Sequence, residues 1–237
     1  MNFRGLRPRL ESSEEPEKES VKHLQELYTV AVGLALTVGV ERALPAEGRG
    51  DIHLPVSLVF AAFVATLVPF YHGAQRHLDL NYRFNKQLAD PAGHGGRKQA
   101  LFFGDFLFLF IEGCLMIAMG ASVETPQRFL LVWLLLIGLD VMWLTVFVTS
   151  NPPEKQVPAE LKRKIPARKI QQFGWAIINV PAVILGSALL FQIQGEQVTE
   201  LGAGALVLTL GLLRTAADYA WNWHFYFPVS PSSATSR

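Results

Sequence analysis

Asp105, Glu112, Asp140 and Asp218 are four carboxylates set inside long apolar stretches, accompanied there by one guanidinium, Arg214, and one amide, Asn179. Ionisable groups in hydrocarbon are costly. They face a bundle interior or a water-filled path, where they mark routes for ions and protons. Four acids against one base leave an excess of negative charge that must be met by protonation, water, a bound cation or another base. These residue types therefore predict loading and release of a proton or small cation. A structural role competes with that reading. Asp218 stands four residues after Arg214, so the two can neutralise each other on one helix face, with Glu112 or Asp140 completing the arrangement.

Six apolar stretches position these groups, at 24–40, 54–71, 101–121, 129–148, 172–191 and 203–226. Each is roughly 17–24 residues, the length a helix needs to cross a hydrocarbon core about 30 Å thick. Lipid offers no partners to backbone polar groups, so each stretch is predicted to be a helix. The predicted fold class is an all-α integral membrane domain with six transmembrane helices in three antiparallel hairpins. Residues 1–23 read as a disordered cytoplasmic arm, 24–227 as the membrane domain and 228–237 as a flexible cytoplasmic tail.

Depth follows from the 1.5 Å rise per residue. Glu112, Asp140 and Arg214 each lie eleven residues from one end of their stretch. That is roughly 16 Å inside, near the bilayer midplane. Asp218 and Asn179 fall about one turn nearer the cytoplasm. Asp105 shares a face with Glu112 through a seven-residue spacing, and by itself reads as a wetted helix-end residue. Four helices thus contribute to one predicted polar site in the cytoplasmic half.

Lys and Arg set the orientation. The N-terminal arm, the connection 72–100 and the connection around 149–171 carry sixteen of them, whereas the other three connections carry only Arg42, Arg49 and Arg128. Both termini are therefore expected in the cytoplasm. The first 23 residues are too polar for a cleavable signal peptide. Only 17% of the chain is charged and 50% is hydrophobic, against about a quarter charged in soluble domains. A net charge of +1 gives no reason to expect nucleic acid. The single cysteine, Cys114, excludes an intramolecular disulfide and any multi-cysteine metal site, and reads as a small apolar filler.

Other patterns are fainter. Asp140-x-x-Trp143-x-x-x-Phe147 matches Asp218-x-x-Trp221-x-x-x-Phe225, a faint trace of duplication that puts Trp221 on the face of Arg214 and Asp218. The aromatic residues at 219–227 otherwise suit a membrane–water belt. His72-Gly-Ala-Gln-Arg-His77 has the spacing of one histidine box of a membrane di-iron enzyme, but the remaining histidines form no second box. A haem between His72 or His77 and His224 is the one cofactor the histidines suggest, and no cofactor is predicted. The motifs G-x-S-x-G, H-E-x-x-H and the phosphate loop are all missing.

The expected function is a channel or transporter for a proton or small cation, using Glu112, Asp140, Arg214, Asp218, Asn179 and Asp105. One alternative is a membrane subunit or effector that docks a cytosolic protein through its loops at 72–88 and 162–169. Another is a membrane-embedded haem or metal enzyme. The expected setting is the plasma membrane (the inner membrane in a bacterium), with the lipid bilayer and further copies of the chain as partners.

Overall fold

In the computed structural model, residues 14–44, 53–79, 95–150 and 166–227 are described, and they form helices without any strand. In chain order these are α1 (Glu14–Ala43), α2 (Leu54–Leu78), α3 (Gly95–Gly120), α4 (Pro126–Ser150), α5 (Pro166–Gln194), α6 (Glu200–Trp221) and the single turn α7 (Trp223–Tyr226). The first six are long and apolar enough to cross a membrane. The outward faces carry large apolar side chains such as Val30, Phe103, Ile184, Phe191 and Leu213. Such a surface suits contact with lipid, and this is a multi-pass membrane protein by helix number, length and composition. Residues 1–13, 45–52, 80–94, 151–165 and 228–237 lie outside the described residues, and with them much of the two loops considered for docking a partner.

Local chemistry explains where the helices start and stop. α1 begins at Glu14, ten residues before the apolar stretch opens at Leu24. Further along it, Lys22 pairs with Glu26 at 3.7 Å across one turn. Leu54-Pro55 opens α2, where a missing N–H costs nothing. The Thr199 side chain accepts from Gly202 N at 3.2 Å and caps α6. The sixth apolar stretch is not one continuous helix to Tyr226: it stops at Trp221 and resumes after Asn222 as α7. The Asn222 amide reaches back to Asp218 and ends the run.

The most extensive helix pairings are α2 with α6, α1 with α3 and α4 with α5. Glycine lies at each of these crossings. A Cβ on Gly120 would sit 2.5 Å from the Ala35 carbonyl oxygen, and one on Gly204 would sit 2.9 Å from that of Pro55. On Gly186 it would meet the Leu134 side chain at 2.9 Å. Lipid tails are as apolar as leucine, so helices in a membrane associate through close packing, and small residues let backbones approach. Phe63, Met116, Met119, Phe129, Trp133 and Leu136 fill the resulting core. Within it, Trp133 Nε1 donates a buried hydrogen bond to Thr66 Oγ1 at 3.0 Å.

Candidate functional site

At the end of the bundle formed by the C-terminal parts of α2, α4 and α6 and the N-terminal parts of α3 and α5, the packing gives way to a part-open cavity. Its volume, as room for water-sized occupants, is about 80 Å³. Asp105, Glu112, Asp140, Arg214 and Asp218 all line it, joined by His77. Asn179 is fully buried beside them. The six residues predicted from sequence are therefore brought together from four helices.

Arg214 organises the wall. It is only 5% exposed. Nε donates to Asn179 Oδ1 at 3.1 Å, and Asn179 Nδ2 in turn donates to Asp140 Oδ2. The guanidinium also lies 4.6 Å from the centre of the Phe70 ring, a cation–π contact that gains strength where water is scarce. Its Nη1 stands 3.6 Å from Asp218 Oδ2. Arg214 thus reaches Asp140 through an amide and Asp218 through charge.

Asp218 is the most heavily engaged acid. Trp175 Nε1 and Asn222 Nδ2 both donate to its Oδ1 at 2.8 Å, and the Tyr226 hydroxyl donates to Oδ2 at 3.0 Å. Three neutral donors and a guanidinium satisfy a carboxylate that is 2% exposed. This geometry leaves Asp218 little capacity for a further ligand and suits it to holding α5, α6 and α7 together.

Glu112 and Asp140 are engaged more lightly. Glu112 Oε1 accepts from the Tyr28 hydroxyl at 2.7 Å. Among the described residues, Glu112 Oε2 and Asp140 Oδ1 carry no hydrogen bond. Asp105 is not the wetted helix-end residue that its sequence position suggested. It is 2% exposed, and its Oδ1 lies 3.4 Å from His77 Nε2. The inward turn of α3 that carries Glu112 to the cavity carries Asp105 to it as well, seven residues earlier.

The other two histidines sit differently. His72 packs at a tilt against Tyr226 with ring centres 4.8 Å apart, and His224 is exposed on α7. Trp221, singled out by the faint repeat, is 57% exposed and lines no part of the cavity. Its counterpart Trp143 does line it, stacked on Phe108. The two halves of the repeat are therefore used differently. Cys114 fills no core position, since it is exposed beside an apolar groove between α1 and α3.

Four partners of the acids were not singled out from sequence: Tyr28, Trp175, Asn222 and Tyr226. Three of them had a signal. Arg214, Asp218, Asn222 and Tyr226 recur every fourth residue, a polar stripe along one helical face. Trp175 precedes Asn179 by one turn on α5. No protein-family model, curated protein or solved structure matches this chain.

Proposed function

We propose that this protein is a channel or transporter for a proton or small cation, and that the cargo occupies the cavity between α2, α3, α4 and α6. The observation that carries this reading is the convergence of Asp105, Glu112, Asp140 and Arg214 on one part-open cavity inside a bundle of membrane-spanning helices. An inert bundle gains nothing from keeping several acids beside unfilled volume, because replacing buried ionic groups with packed apolar ones is often neutral or stabilising. Glu112 and Asp140 are the loading groups. Arg214 sets the local charge, and Asp218 anchors the helices. The sixteen-to-three bias of basic residues puts the cavity end and both termini on the cytoplasmic side. Epitope tags at the termini should accordingly be reached only after the membrane is permeabilised.

Liposomes test the transport reading. Glu112→Gln and Asp140→Asn preserve shape and hydrogen-bonding capacity but cannot exchange a proton or bind a cation by charge. Each should abolish flux, followed by a lumenal pH dye or by cation uptake, while the purified protein melts near the wild-type temperature. A wild-type protein that moves neither protons nor common monovalent cations refutes the proposal.

A further inference from the structure

We infer that the cargo is the proton, carried by water that Arg214 Nη1 holds between Glu112 and Asp140. This deepens the transport reading and rests on it. Arg214 Nη1 is buried and has no hydrogen-bond acceptor among the described residues. The nearest carboxylate oxygen, Asp218 Oδ2, is 3.6 Å away and already accepts from Tyr226. A buried donor without an acceptor is expensive. Arg214 lines the cavity, so the missing acceptor belongs to whatever occupies that volume.

Water fits the remaining partners. A buried water needs two to four polar contacts and enough room. The guanidinium supplies a donor, and the carboxyl groups of Glu112 and Asp140, which line the same cavity, supply acceptors. A desolvated metal cation fits poorly. It would share the space with a permanently charged guanidinium, and a hard cation such as calcium takes six or more oxygen ligands at once. Among the described residues, no group of three or more His, Cys, Asp or Glu side chains is placed to hold a metal ion.

The transfer balances simply. The protonated carboxyl group of one acid gives its proton to the water while one of the water's own O–H bonds breaks to form an O–H bond on the carboxylate of the other. The water stays neutral throughout and keeps accepting from Arg214 Nη1. The donor acid is left as a carboxylate, ready to be protonated again.

The experiment uses the full wild-type chain in liposomes loaded with potassium and a pH dye. These are diluted into N-methylglucamine buffer, and valinomycin then sets an interior-negative potential. The lumen should acidify with no sodium present outside, and acidification should slow in D2O. Labelled sodium offered under the same potential should stay outside. Sodium uptake without acidification overturns the proton and leaves the transport reading standing. Absence of both fluxes overturns that reading and this inference together. An unchanged rate in D2O overturns the water-mediated step. Arg214→Lys keeps the charge but loses the planar fork of nitrogens. It should lose acidification while melting close to the wild type, and proton flux at the wild-type rate in this variant also overturns the proposal. Should the variant fail to fold, the sodium and D2O arms on the wild type still decide.

Discussion

The two ends of this bundle are built on opposite principles. Around Gly39, Phe63, Gly120 and Phe129 the helices touch backbone to side chain, and the core is filled with little polar content beyond Thr66 and Trp133. Around Arg214 the same helices stand apart over a cavity, and polar side chains bridge the gap. A close-packed interior resists change in volume. A polar interior resists loss of a partner. One end supplies the rigid frame, and the other keeps groups near one another without filling the space between them. The difference teaches that the polar cluster is not needed to bring the helices together, since glycine crossings achieve that elsewhere in the same helices. The two ends should therefore fail in different ways.

The largest effect is expected at the polar end. Arg214→Leu leaves the buried Asp218 without its base and cuts the half-buried Asp140 off from the guanidinium it reaches through Asn179. Breaking a buried ion pair in this way costs about 3–5 kcal/mol. Combining it with Asp218→Asn removes one stranded charge and should recover part of the loss. Recovery stays incomplete because the amide presents a donor where Trp175, Asn222 and Tyr226 all donate. Unfolding of the purified proteins in mixed detergent micelles measures both variants. A double variant no more stable than the single would show that Arg214 and Asp218 do not act as a pair.

The polar end was also the harder one to read from sequence. The six spanning helices were legible because length and hydropathy are sums over many residues, and the bilayer penalises any other conformation. The convergence of Asp105, Glu112, Asp140, Asn179, Arg214 and Asp218 was legible for a related reason, since depth follows from residue number and cost forces the groups inward. Their partners were not. Tyr28 belongs to the first helix, which contributes no acid to the cavity, and only the packing of α1 on α3 brings its hydroxyl to Glu112. Tyr226 looked like a member of the interfacial belt, because composition cannot tell an aromatic ring that faces headgroups from one turned back to a carboxylate. Trp221 failed for the converse reason. Its spacing from Arg214 and Asp218 gave it a face, but it is the last residue of α6 and stands largely exposed, off the cavity.

A smaller effect is expected where the packed end is tightest. In Gly120→Ala the new methyl would lie 2.5 Å from the Ala35 carbonyl oxygen and 3.4 Å from the tip of Phe63. The first neighbour is backbone, so α1 and α3 must separate. Overpacking of this kind costs about 1–3 kcal/mol. Because Glu112 and Tyr28 bridge the same two helices, flux should fall in parallel with stability. A Gly120→Ala variant as stable as the wild type would mean that the close approach contributes nothing to the frame.

The smallest effect separates tight glycines from idle ones and sharpens the contrast between crossings and open faces. Gly138 lies within α4, and a Cβ built on it meets nothing within 4 Å. No neighbour has to move in Gly138→Ala. Alanine also restricts the unfolded chain and favours helix over glycine by about 0.8–1.0 kcal/mol in soluble hosts. The lipid-embedded reference state is already helical, so only part of that gain should appear, and the variant should be neutral to slightly stabilised in the micelle unfolding assay. Its proton flux should match the wild type, because Gly138 contributes no side chain to the cavity although Asp140 lies two residues away. A clear loss of stability would place an unseen surface against α4 at this point, such as a second copy of the chain. Crosslinking through cysteine introduced at position 138 would then test that contact directly.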